Sequence, residues 1–232
     1  MHLFYSTNIS DNIITLDKEE SKHLAKVLRL EMGEEVHVID GKGTRYLCTI
    51  NLAHQKATQL SILAKEVVNE TYGIEIAAAP TKNLNRWEWF LEKTTEIGID
   101  AIHPIVSFHS ERKVLKQDRQ ERIMVSAMKQ SYKTKLPQLS ELEKFKQFIT
   151  KKFDGRKFIC HCYDNLPKKS LNESYKKGEK ALLLIGPEGD FSKEEVELAL
   201  QHGFEPIALG ESRLRTETAA IVACHTIHVL NA

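Results

Sequence analysis

The spacing of apolar residues changes character near residue 70, and the change divides the chain in two. In the first part Val36 and Val38 alternate with Glu35 and His37, a period of two that predicts a half-buried strand. Asp40, Gly41, Lys42 and Gly43 predict a hairpin turn, with residues 46–50 as the returning strand. Residues 58–63 predict another strand, and residues 19–28 a short helix with Leu24, Val27 and Leu28 on one side. On that helix Lys22, Lys26 and Arg29 fall at i, i+4 and i+7, a common face. Short strands joined by tight turns predict a small β-barrel domain over residues 1–70.

Residues 69–73 are polar and turn-prone, and beyond them a second domain is expected over residues 73–232. There strands and helices alternate. Strands are predicted at 74–79, 101–106, 158–163, 181–185 and 206–209. A helix starting near Asn83 carries Leu84, Trp87, Leu91, Thr94 and Ile97 at intervals of three or four. Trp87 falls on its core stripe, which leaves Trp89 as a candidate for base stacking. Further helices are expected over residues 119–132, from Ser192 with a capping box closed by Glu195, and from about Thr216 onward. The alternation predicts an α/β fold with a mostly parallel sheet covered on both faces.

Two of these strands share an ending. Residues 181–185 run into Gly186-Pro187-Glu188-Gly189-Asp190, and residues 206–209 run into Gly210-Glu211-Ser212-Arg213-Leu214-Arg215. A glycine lets backbone amides approach a ligand, and open α/β sheets bind ligands beyond the carboxyl ends of their strands. One such loop alone reads as a tight turn before a helix; two in succession read as walls of one pocket. The chain has no Gly-x-x-x-x-Gly-Lys-Ser/Thr and no Gly-x-Gly-x-x-Gly, so a phosphate-gripping site is not expected.

Composition narrows the class without naming it. The 232 residues are 41% hydrophobic and 28% charged, as in an ordinary folded protein. The N-terminus shows no secretory pattern and no apolar run is long enough to cross a bilayer, so a cytoplasmic location is expected. Cys160-His161-Cys162 lacks the second ligand pair that a structural zinc site needs and reads as a buried strand, so no metal is expected. The net charge of +1 does not by itself announce a nucleic-acid partner.

The loops also carry a resemblance. Ile185-Gly186-Pro187-Glu188-Gly189-Asp190-Phe191-Ser192 and Leu209-Gly210-Glu211-Ser212-Arg213-Leu214-Arg215-Thr216-Glu217-Thr218-Ala219 resemble the two C-terminal motifs of the RsmE family. His23-Leu24-Ala25-Lys26-Val27-Leu28-Arg29 and Lys93-Thr94-Thr95-Glu96-Ile97-Gly98-Ile99 resemble its N-terminal and central segments, in the same order. Asp190 stands where a third loop glycine is common, and Tyr132 and Lys133 lie around a position where the family usually has Gly-Arg. The resemblance implies a PUA-like RNA-binding barrel followed by a SPOUT domain with a trefoil knot, working as a homodimer. It implies S-adenosyl-L-methionine as cofactor, and methylation of N3 of a uridine in 16S ribosomal RNA of the small ribosomal subunit.

On that reading the expected cofactor-binding residues are Ile185, Gly186, Pro187, Glu188, Gly189, Leu209, Gly210, Leu214, Arg215 and Thr218. Losing the uridine N3 proton requires a base or a stabilised anion. Arg215 is the first candidate for the second role, because a guanidinium stays charged and offers fixed donors. Glu217 is a candidate base or partner of Arg215, and as readily a helix-start acid. Lys26, Arg29, Lys82, Arg86, Arg112 and Lys129 are candidate RNA contacts. A non-catalytic RNA-binding factor with a degenerate pocket is the competing class, and a nucleotide-dependent enzyme is disfavoured by the missing phosphate motifs.

Overall fold

The computed structural model describes residues 2–163 and 166–232, which form two compact units. The first takes in the chain up to Glu70 together with Val125–Leu136; the second is Thr71–Met124 with Pro137–Ala232.

The first unit is a six-stranded sheet of β1 (Leu3–Tyr5), β2 (Ile9–Ser10), β3 (Ile13–Thr15), β4 (Glu35–Ile39), β5 (Thr44–Leu52) and β6 (Gln59–Val67). Its order is β1-β4-β5-β6-β3-β2, antiparallel except where β1 runs with β4. The alternation in β4 does what its period implies: Val36 and Val38 are fully buried beside Phe4, Ile14, Leu24, Cys48 and Leu60. The helix expected at 19–28 changes winding part-way. Helix α1 (Lys18–Lys22), capped by Asp17 accepting from Glu20 N at 2.8 Å, passes into a π-helical turn over His23–Leu28. Arg29 ends it with φ 57°, its N–H bonded to Leu24 O. The wider i→i+5 winding removes the common face expected of Lys22, Lys26 and Arg29.

Polar ties explain why Val125–Leu136 belongs to this unit. Glu70 Oε2 accepts from Thr134 N at 2.8 Å, Thr134 Oγ1 at 3.1 Å and Lys135 N at 3.1 Å. Gly43 N donates to Thr134 O at 3.1 Å, and Arg45 Nη2 to Tyr132 O at 3.1 Å. Lys129 pairs with Glu20 and lies 6.0 Å from the Phe4 ring centroid. Tyr132 has φ 57°, so the position where a glycine is usual does adopt the left-handed region here.

The second unit contains, in chain order, β7 (Ile74–Ala78), α2 (Leu84–Ile97), β8 (Ala101–Val106), α3 (Gln117–Gln130), β9 (Gln138–Leu139), β10 (Glu143–Lys144), α4 (Phe145–Phe148), β11 (Arg156–Cys160), β12 (Lys169–Ser170), α5 (Leu171–Ser174), β13 (Ala181–Ile185), α6 (Lys193–Gln201), β14 (Glu205–Ala208) and α7 (Thr216–Asn231). The second half of α3 belongs to the first unit. The sheet order is β10-β8-β7-β13-β11-β14-β12, every pairing parallel, with β9 also beside β8. All five residues of β13 are buried, as an apolar run sandwiched between helices requires. Ser192 and Glu195 form the expected reciprocal capping box at the start of α6. On α2, Trp87 is buried and donates to Gln120 Oε1, whereas Trp89 is 44% exposed.

Candidate functional site

Three strands of the parallel sheet, β11, β13 and β14, lie side by side and end at the same edge. The loops that leave them enclose a cleft of about 640 Å³, within the range of small-molecule sites. Ile185, Gly186, Pro187 and Glu188 form one wall and Leu209, Gly210, Leu214 and Arg215 another, all of them expected from the sequence. Gly210 has φ 140°, and a Cβ there would meet nothing within 4 Å, so its backbone borders open space. The two walls are bolted together by one bond. Thr216 Oγ1, at the first turn of α7, donates to the Gly186 carbonyl at 2.9 Å, and the pair is buried.

Three expected residues fall outside this lining: Gly189, Thr218 and Glu217. Gly189 is needed for packing, since a Cβ on it would come within 2.9 Å of His109 Cβ. Thr218 is half-buried on α7. Glu217 is buried, with Oε1 3.8 Å from Arg86 Nε and no partner for Oε2 among the described residues. It sits at the helix start and is not among the residues that line the cleft.

Arg215 does line the cleft. It precedes α7 with an extended backbone, its side chain makes no cap, and its carbonyl accepts from Ala219 N at 2.7 Å. The main chain is therefore fixed while the guanidinium stays exposed, with no hydrogen bond or ion pair among the described residues.

The third wall was not foreseen. Cys160, His161, Cys162 and Lys168 line the cleft from β11, which ends at Cys160, three residues before the expected strand end. Asp190 holds this wall to the β13 loop. It takes φ 65° where a glycine is common, and its side chain compensates: Oδ1 accepts from Phe191 N at 2.8 Å and Oδ2 from Cys162 N at 2.7 Å. Lys168 Nζ donates to the carbonyls of His161 at 3.2 Å and Tyr163 at 3.0 Å. Burial pushes the Cys160 thiol up to about 12, so it is no nucleophile at neutral pH. His161 is buried; Tyr163 N donates to its Nδ1 at 3.2 Å, and Nε2 has no partner among the described residues. Burial, with Lys168 nearby, holds the imidazole below its usual pKa and hence neutral.

The candidate RNA contacts divide. Lys26 and Arg29 are exposed. Lys82 is exposed and pairs with Glu111 at 2.8 Å, while its own N–H donates to Glu188 Oε1 at 2.9 Å. Arg86 faces Glu217. Arg112 is spent internally, Nε donating to Thr81 O at 3.0 Å and Nη2 to Lys82 O at 2.6 Å. Lys129 is largely covered and paired with Glu20.

Comparison with known proteins agrees with this layout. Residues 69–228 match the RNA methyltransferase domain family and residues 16–63 the RNA methyltransferase PUA domain family. The chain is 31% identical over 232 residues to the ribosomal RNA small subunit methyltransferase E of Synechocystis, covering 96% of this chain and 75% of that protein. It superposes on a probable rRNA-methyltransferase from Porphyromonas gingivalis with TM-score 0.93 and 40% identity, covering 100% of this chain and 98% of the other. A Neisseria gonorrhoeae ribosomal RNA small subunit methyltransferase E, solved bound to S-adenosyl methionine, superposes with TM-score 0.87 and 25% identity over 99% and 98% of the two chains. With a family match over residues 69–228 and a relative matched over 96% of the chain, the chain belongs to the ribosomal RNA small subunit methyltransferase E family.

Proposed function

We infer that the protein transfers a methyl group from S-adenosyl-L-methionine to 16S ribosomal RNA, at N3 of a uridine. The observation that carries this is the cleft itself: two glycine loops give backbone donors and acceptors beside apolar walls, with cationic side chains at the margin. A flat adenine fits between Ile185, Leu209 and Leu214, and a polar amino-acid tail suits Lys168, Arg213 and Asp190. The open space at Gly210 and the orphaned Nε2 of His161 are features a bound ligand accounts for. When bound, the cofactor supplies an electrophilic methyl on its sulfonium.

The chain's own residues do the rest. The Thr216–Gly186 bond fixes the distance between the two walls, so the site is formed before ligand arrives. Arg215 is the catalytic residue: its unpaired guanidinium stabilises the negative charge that develops on the uracil ring as N3 loses its proton. Glu217, buried in the first turn of α7, positions Arg86. Lys26 and Arg29, exposed on the first unit, contact RNA phosphates.

The remaining features rest on the family resemblance and on partial support. The boundary between a PUA-like barrel over 1–70 and a SPOUT domain over 73–232 is supported by the polar stretch at 69–73. The trefoil knot rests on the family resemblance alone. A homodimer is supported by exposed Trp89 on α2 and Val229 on α7. No helix among the described residues is long and apolar enough to cross a membrane, which accords with work on small ribosomal subunits in the cytoplasm.

The test is to incubate the protein with labelled S-adenosylmethionine and small subunits lacking the modification, then identify the labelled nucleoside. Label in 3-methyluridine is expected. Label in another nucleoside would remove the specificity, and none at all would leave the competing RNA-binding factor.

A further inference from the structure

The loop that follows β8 is tied down along its backbone and carries an aromatic ring that is left bare. Phe108 is 74% exposed. Its N–H donates at 2.8 Å to Oε1 of Glu195, a carboxylate only 7% exposed that is also half of the α6 capping box. The His109 ring meets Phe108 edge-on with centroids 4.9 Å apart, and His109 Nδ1 donates to the Asp190 carbonyl at 3.0 Å. Ser107 N donates to Ser110 Oγ at 2.9 Å and Ser110 N to Ser107 O at 3.1 Å, closing the turn. Arg112 clamps the far end of the loop to the carbonyls of Thr81 and Lys82.

These ties run to the loops after β7 and β13, and Asp190 itself lines the cleft. The backbone that carries the ring is thus held next to the site, with His109 edge-on to the ring. An exposed ring on an anchored backbone, with one edge-on neighbour and most of its surface bare, makes sense if something flat lands on it.

Resting on the methyltransferase reading, we propose that Phe108, braced by His109, is a stacking platform for an unpaired RNA base beside the cleft. Every base has a π face, so an exposed aromatic accepts one without reading its identity. An enzyme acting on a base must take it out of the stack, which leaves its neighbours in need of a new surface. Exposed Lys113 and Lys116 follow on the same segment, either side of exposed Val114 and with Glu111 paired to Lys82, and these two cations, unpaired among the described residues, suit phosphates. The geometry therefore favours RNA over a second copy of the chain.

The test compares F108A, F108L and F108W by binding to small ribosomal subunits lacking the methylation, with calorimetry on S-adenosylmethionine beside it. F108A and F108L are both expected to weaken subunit binding about ten-fold, with F108W restoring it. The salt dependence and the cofactor affinity should stay as in the wild type, because no charge is removed. Wild-type binding by F108A or by F108L would overturn the proposal, as would a dimer that F108A breaks in sedimentation. Wild-type protein that binds the subunits through Phe108 yet transfers no methyl would keep the stacking and overturn the methyltransferase reading.

Discussion

At the edge where the parallel strands begin, polar groups are closed off against one another. Asp100 Oδ2 accepts from the amides of Tyr72, Gly73 and Ile74 at 3.0, 2.6 and 3.4 Å. Arg156 forks onto Glu205 with bonds of 2.8 and 2.7 Å, and His228 Nε2 donates to Gly98 O at 2.6 Å. At the edge where the strands end, the Arg215 guanidinium and the backbone of Gly210 are left open, and the buried His161 Nε2 has no partner among the described residues. The difference is one of partnering: polar groups are matched for stability at one edge and left unmatched for a waiting site at the other.

Four substitutions or conditions would break or sharpen that contrast. The largest effect is expected for R215A, whose methyl-transfer rate should fall about 10²- to 10³-fold, roughly 3–4 kcal/mol of transition-state stabilisation. Its cofactor affinity by calorimetry and its melting temperature should barely move; a folding defect instead would make Arg215 structural. D100A at the other edge should do the reverse, costing about 2–3 kcal/mol in chemical denaturation by leaving three amides unpaired, with cofactor affinity kept within about two-fold. T216V keeps the shape but strips the donor from the buried Gly186 carbonyl. A five- to ten-fold weaker cofactor Kd is expected, about 1–1.5 kcal/mol, and an unchanged Kd would mean that the walls need no bolt.

The smallest effect concerns pH. Burial lowers the His161 pKa in the folded state, so the unfolded chain binds that proton more readily. Its stabilising contribution is present above about pH 6.5, the unfolded value, and is lost as pH falls towards the folded one. Denaturation midpoints measured from pH 7.5 to 5.5 should decline slightly more steeply in the wild type than in H161N. Parallel curves would place the titration elsewhere.

Much of this architecture was legible because local signals and tertiary demands agreed. The run at 181–185 became β13 with the same bounds, and Ser192 with Glu195 announced α6 through a bond pattern that spans three residues. The two glycine walls followed from the same grammar. The third wall did not, because nothing in residues 160–168 says that β11 will lie beside β13 and β14. Partnering was equally invisible: Arg112 and Lys129 look like surface cations in a string of letters, and only the fold brings them the Thr81 carbonyl and the Glu20 carboxylate. The π-helical turn at His23–Leu28 likewise reflects packing of Leu24 into the core, which a period of 3.6 cannot encode.

Where the methyl donor is held is read directly by amide hydrogen exchange with and without S-adenosylmethionine. Slower exchange is predicted at residues 160–162, 185–190 and 207–216, with residues 72–75 and 155–157 unchanged. Unaltered exchange in those loops, or protection centred on the edge where the strands begin, would contradict it.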